Sequence, residues 1–264
     1  MSAPRELPSH AALLEASGND PFVRWQVSPD LPLTAWQVDG AVAFVRTRSS
    51  GRRQLTVLGS PQDAAGAVHA LAGHLGDVRR TVWAHGITVP RGTLPLLGED
   101  ARLGPGDDWD WMWVDRTRLT SEPADPRVQR LPSAAEPDVT ALLATASPRH
   151  SSDPGDDDVV EWFGIRDADG RLLACAAHTE SVPGVPHLAS IATDPDARGR
   201  GLGTALTAGL TRTLLDEGAP VVTLGMYADN TVARRLYARI GFVCSHRWSS
   251  RAVVVRRRPS TTLA

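Results

Sequence analysis

Apolar positions in the second half of the chain switch between two periods, and each switch marks an element. Leu202, Leu206, Leu210 and Leu214 fall four apart, which lays one stripe along a helix that faces a sheet. Short apolar runs at 187–193 and 221–226 flank that helix and read as strands. Asp194-Pro195-Asp196 turns the chain out of the first strand, and Gly218 stops the helix before the second. A last helix then has Asn230 at its N-cap, Val232, Ala233, Leu236 and Ile240 as its expected buried face, and Gly241 at its end. Upstream, 128–131 reads as a strand, 138–146 as a helix and 147–158 as a polar loop. Residues 159–165 and 172–179 pair as a hairpin across Asp167-Ala168-Asp169-Gly170.

The first half carries a similar alternation. Residues 11–16 read as a short helix ended by Ser17-Gly18-Asn19-Asp20, and 23–27, 34–38, 41–46 and 54–58 have strand character. Ser60-Pro61-Gln62-Asp63 opens a helix to about residue 75, with apolar positions at 64, 67, 68, 71 and 75, and 81–83 resumes a strand. Trp109, Trp111 and Trp113 alternate, so they share one face of a strand. Such a stripe serves either as core or domain interface, or as a substrate-binding wall. Residues 121–126 read as a linker.

Length and composition narrow the class. A chain of 264 residues suits two compact domains, here 1–125 and 126–264. Net charge is −2 and the arginines are scattered, so no basic stripe suggests nucleic acid. Cys175 and Cys244 lie in apolar runs with no ligand partner at metal spacing, so buried free thiols and no metal are expected. No apolar run approaches the roughly 20 residues that span a bilayer, and the N-terminus lacks the apolar core of a signal. A cytoplasmic protein without membrane contact is expected, its oligomeric state open.

The stretch Arg198-Gly199-Arg200-Gly201-Leu202-Gly203-Thr204 runs straight into the leucine-striped helix. Glycines there let backbone approach a ligand, and the open amides of the first helical turn attract a phosphate. A Walker loop needs lysine, and the chain has none. A dinucleotide fingerprint needs a third glycine where Thr204 stands. What fits is [QR]-x-x-G-x-[GA], filled by Arg198, Gly201 and Gly203, and followed by Asn230, Ala233, Leu236, Tyr237, Gly241 and Phe242 in the pattern N-x-x-A-x-x-L-Y-x-x-x-G-F. In both motifs the chain resembles the GCN5-related N-acetyltransferases (GNAT), closely over about residues 155–245.

That resemblance implies a fold and a chemistry. The fold would be an α/β (α+β) one: a mixed, mostly antiparallel twisted sheet with two splayed parallel strands, flanked by helices. It would be preceded by a second α/β domain, either a degenerate copy without the phosphate loop or an unrelated one. The implied reaction is direct transfer of an acetyl group from acetyl-CoA to an amine, on a small molecule or a peptide. The carrier would contact backbone at Ile191, Ala192 and Thr193, the loop from Arg198, Gly199, Arg200, Gly201, Leu202 and Gly203 to Thr204, and Asn230, Ala233 and Tyr237. Ile191 N–H is the expected oxyanion donor.

Tyr237 matches the family tyrosine that protonates the departing thiolate, as a neutral phenol can. Ser190 stands where many relatives have a glutamate base. A serine needs help in that role, so His187, then His178, Glu161 or Glu180, are the alternatives, His187 first because imidazole titrates near neutrality. The acids Asp153, Asp156, Asp157 and Asp158 either draw a cationic acceptor or simply solvate their loop. A non-catalytic module that binds acyl-CoA and signals to a partner is the rival reading.

Overall fold

The computed structural model describes residues 3–47, 51–74, 84–98, 101, 103–120 and 125–253. The chain divides into two compact units, one of residues 1–20, 29–108 and 248–264, the other of residues 21–28 and 109–247. Three segments therefore depart from a boundary at residue 125: 21–28 and 109–125 fall in the second unit, and 248–264 falls in the first. The strand expected at 81–83 and residues 121–124 of the expected linker lie outside the described residues.

Ser9 accepts the amide of Ala12 and starts helix α1 (His10–Ala16). The strand expected at 23–27 is instead helix α2 (Pro21–Gln26). Pro21 at the first helical position is preset for the helix, and Phe22, Val23 and Gln26 bury one helical face, which an alternating reading misses.

In the first unit β1 (Arg5–Glu6), β2 (Thr34–Val38), β3 (Ala41–Thr47) and β4 (Arg53–Leu58) pair antiparallel in order. Helix α3 (Pro61–His74) crosses over, and β5 (Gly86–Pro90) returns parallel to β4. Ala64, Ala67 and Leu71 of α3 pack with Ala43, Leu55, Val57 and Val89 to make the core.

The second unit begins with β6 (Asp108–Val114), then β7 (Gln129–Leu131), α4 (Glu136–Ala146), β8 (Val159–Arg166), β9 (Leu172–Val182) and β10 (Val185–Thr193). Helix α5 (Leu202–Asp216), β11 (Val222–Tyr227), α6 (Thr231–Ile240) and β12 (Val243–Ala252) complete it, although β12 from Trp248 onward belongs to the first unit. β7, β8, β9 and β10 pair antiparallel, α5 crosses over, and β11 lies parallel to β10. The first unit repeats this order of moves. Each unit then takes its next strand from a distant part of the chain: β6 pairs antiparallel with β11, and Trp248–Ala252 of β12 with β5.

One face of the second sheet carries Leu188, Val222, Leu224 and Met226 against Leu202, Leu206, Leu210 and Leu214 of α5 and Tyr237 and Ile240 of α6. Each leucine stripe residue so buried stabilises the unit by roughly 1.5–3 kcal/mol. The other face packs Cys175, Ala177 and Ala189 on Val139, Leu142 and Leu143 of α4. In α6 the buried face is not quite the expected one. Val232 is 70% exposed while Tyr237 and Ile240 are buried, so the helix turns its tyrosine inward and its first valine to water. Cys175 is buried and its thiol is pushed up to about 12 by that burial, which makes it inert. Cys244 is exposed on β12, against expectation.

Candidate active site

Thr193 ends β10, and Asp194 caps the following short turn by accepting the amide of Asp196. That backbone bond and the Arg171 guanidinium hold the Asp194 carboxyl below its ordinary range. Gly199 and Gly201 then take φ of 76° and 75°, a left-handed backbone that favours glycine. Gly201 is itself the N-cap of α5, with no side-chain cap, and its carbonyl accepts the first helical bond from Ala205. The amides of Leu202, Gly203 and Thr204 thus have no partner within the helix, the state in which a helix N-terminus attracts an anion.

Arg198 and Arg200 take a different part from simple charge donors. Arg198 donates to the carbonyls of Thr193 and Ala146, and Arg200 to that of Asp196. Both brace the loop. The corresponding turn in the first unit is closed by its own side chains. Ser60 accepts the amide of Asp63 at 3.1 Å and donates to its carboxylate at 2.6 Å. Helix α3 is self-capped, whereas α5 has no side-chain cap.

The strands ahead of this loop part as they approach it. β10 and β11 are in parallel register at His187↔Thr223 and Leu188↔Leu224. The register of β10 against β9 then shifts between Ala189 and Ala192, with Ser190 at φ 50°, a bulge that bends the strand. Ile191, Ala192 and Thr193 follow the bend. Ser190 is held in this strained turn by two bonds to one residue: its hydroxyl accepts the amide of Ser152 at 2.9 Å and donates to its carbonyl at 2.8 Å. Both bonds tie the hydroxyl to the 147–158 loop.

Helix α6 starts at Asn230, whose side chain accepts the amide of Ala233 at 3.0 Å. Arg234 bonds the buried Asp110 and the carbonyl of Ala228, which fixes the helix against β6. A Cβ on Gly203 would meet the Thr193 hydroxyl at 3.4 Å and a Leu236 methyl at 3.5 Å, so β10, α5 and α6 converge on this glycine. Tyr237, 7% exposed, shares a cluster with Leu188 and Leu224, the last residues in register before the strands part. Burial pushes its phenol well above the ordinary range, so it stays protonated. Its hydroxyl makes no hydrogen bond among the described residues.

His187 lies on the opposite face of the sheet. Its Nδ1 is 2.9 Å from the Thr223 hydroxyl, and its Nε2 is 4.0 Å from where a Cβ on Gly225 would be. Gly225 is exposed although it sits in an inner strand, and the Trp109 ring lies 3.5 Å from the same point. These three residues stand together on that face. Trp111 and Trp113 share the face with Trp109 but are used in packing: Trp111 is fully buried against Phe22, and Trp113 donates to Ser245 beneath Arg118. The other base candidates are elsewhere. His178 sits between Glu161 and Glu180, and Glu161 also binds Arg130. This cluster lies on the α5 face, away from His187.

The 147–158 loop closes over β11 through Arg149, which stacks 3.7 Å from the Tyr227 ring and pairs with Asp229. Its Asp153 and Asp156 serve the loop itself, Asp153 at His150 and Asp156 at the amide of Asp153. His150 contacts the Ser147 carbonyl and Asp153, both at 2.8 Å. Burial works against its charge, but these two bonds outweigh it and raise its pKa above 6.5. The loop's stabilisation is therefore complete below pH about 6.5 and is lost as pH climbs through the folded pKa. Asp153 is largely exposed, so the effect is about 0.5 kcal/mol. Amide exchange in the loop, corrected for intrinsic rates, should show this loss of protection in the wild type and not in His150→Gln.

A model of the acetyltransferase (GNAT) family matches residues 130–242. A mycothiol acetyltransferase of Mycobacterium leprae is 30% identical over 234 residues, covering 70% of this chain and 74% of that one. The mycothiol acetyltransferase of Actinosynnema mirum is 32% identical over 236 residues, covering 79% and 72%. Among solved structures, a GCN5-related N-acetyltransferase from Sphaerobacter thermophilus superposes with a TM-score of 0.58 at 19% identity, over 94% of this chain and 92% of that one. One from Kribbella flavida gives 0.53 at 16%, over 92% and 93%. At those identities the likeness is one of fold, and it extends over both units.

Proposed function

The chain belongs to the GNAT acetyltransferase family and is an acyltransferase, and from that premise we propose that it moves an acetyl group from acetyl-CoA directly to the amine of a small molecule. The observation that carries this reading is the open, glycine-capped N-terminus of α5 beside two strands that part at Leu188 and Leu224. The residues fit the carrier. Amides of Leu202, Gly203 and Thr204 would hold its diphosphate, Gly199 and Gly201 give it room, and Ile191, Ala192 and Thr193 offer backbone to its arm. Asn230 and Ala233 begin the helix that closes the other side. Bound there, the carrier supplies an acyl group activated as a thioester.

The remaining work falls to three groups of this chain. Ile191 N–H, just past the bulge, is the donor toward the oxygen that gains charge. Tyr237 Oη gives its proton to the departing sulfur. His187 Nε2, beside the exposed Gly225, takes the proton from the acceptor's ammonium. Relatives named for mycothiol favour a small-molecule acceptor over a peptide.

Thiol release from acetyl-CoA against a panel of small amines, including the acceptor of those relatives, tests the proposal. Turnover should appear with at least one amine and fall about 10²-fold or more in His187→Gln. Tight acetyl-CoA binding with no turnover on any amine would instead mark a chain that only binds the carrier.

A further inference from the structure

The Thr223 hydroxyl has three neighbours at hydrogen-bonding distance: the Pro186 carbonyl at 3.1 Å, Gln26 Nε2 at 3.1 Å and His187 Nδ1 at 2.9 Å. A hydroxyl has one proton and two lone pairs. The carbonyl can only accept, so it takes the proton. Gln26 can only donate, because its amide nitrogen also reaches the Trp25 carbonyl at 3.1 Å, which fixes which end of the amide is the NH₂. One lone pair is left for His187, which must therefore present N–H at Nδ1 and carry its own lone pair at Nε2.

We propose that Thr223 is a positioning residue for His187, its hydroxyl, turned toward the Pro186 carbonyl, holding the imidazole as the tautomer whose Nε2 is basic. Its catalytic consequence rests on the reading of His187 as the base. Gln26 and Thr223 are both buried, so no water relieves a wrong arrangement. Without the Thr223 hydroxyl, Nδ1 loses this acceptor and the imidazole proton is at liberty to move to Nε2, which abolishes the base. Gln26 fills the hydroxyl's other lone pair. The donor comes from 197 residues away in the sequence, on α2. That helix is set in the C-terminal unit by Phe22, packed edge-on against the Trp111 ring at 5.2 Å. Residues 21–28 thus contribute to the chemistry of a unit that otherwise begins near residue 109.

Nitrogen-15 NMR of the full-length, histidine-labelled chain, above the titration range of the ring, reports the tautomer directly. Wild type and Thr223→Ser should show His187 protonated at Nδ1, whereas Thr223→Val should shift it toward Nε2. In Thr223→Val, kcat/KM for the amine should drop about tenfold, the scale of one buried hydrogen bond, with acetyl-CoA affinity unchanged. Protonation at Nε2 in the wild type, or an unchanged tautomer and rate in Thr223→Val, would overturn the proposal. If Thr223→Val does not fold, the contrast between Thr223→Ser and Thr223→Ala decides it. Full turnover in His187→Gln would instead sink the base reading while leaving the tautomer assignment to stand or fall by its own spectrum.

Discussion

Tyr237→Phe is expected to lower kcat for acetyl transfer by about 10²–10³-fold, the contribution of a well-placed general acid, and to leave acetyl-CoA binding nearly unchanged. The expectation follows from what the hydroxyl does not do. It makes no hydrogen bond among the described residues, so its loss should cost the fold no more than about 1 kcal/mol. The ring keeps its place through packing with Phe242, 6.0 Å away, and with the cluster along α5. Because burial raises the phenol's pKa, it still carries its proton in mildly alkaline solution. An alkaline decline in rate below pH about 10 would then belong to another group. Stopped-flow thiol release with saturating acceptor measures kcat, and a thermal melt checks the fold. Unchanged turnover in Tyr237→Phe would remove the phenol from the mechanism.

The parts of this site that the sequence displays are those built from local geometry. Gly199, Gly201 and Gly241 have left-handed φ where the motifs place them, and Asn230 caps its helix as its position suggests. The hairpin, the leucine stripe and both parallel strands were legible for the same reason. What was not legible depends on distant partners. Ser190 looks like a base position until Ser152, 38 residues away, takes both of its hydrogen bonds. Residues 23–27 have strand composition, but Pro21 and a tertiary face against Trp111 make them helical. The pairing of β6 with β11 leaves no local trace, because a strand's register is written in its neighbours rather than in itself. His187 was legible only as a residue type. Its ring contacts the Thr223 hydroxyl, 36 residues away, and a threonine inside an apolar strand gave no signal of that contact.

Gly201→Asp should weaken acetyl-CoA binding by about 10²-fold or more, and two independent costs combine to give that figure. A side chain at φ 75° costs about 1–2 kcal/mol, and the backbone can relieve it only by turning the cap out of its left-handed shape. That turn would redirect the amides of Leu202 and Gly203. The carboxylate adds like charge where a diphosphate must sit, on the end of α5 whose dipole favours anions. At 1.4 kcal/mol per factor of ten, the strain alone accounts for roughly tenfold and repulsion for the rest. No Cβ clash contributes, since a Cβ at Gly201 would have nothing within 4 Å. Gly201→Ala therefore separates the two costs: it should keep the strain and lose the repulsion, falling between wild type and Gly201→Asp. Calorimetry should also return one carrier per chain, because the first unit's matching helix is closed by Ser60 and Asp63. A second equivalent of bound acetyl-CoA, or full affinity in Gly201→Asp, would mean the diphosphate sits somewhere other than the end of α5.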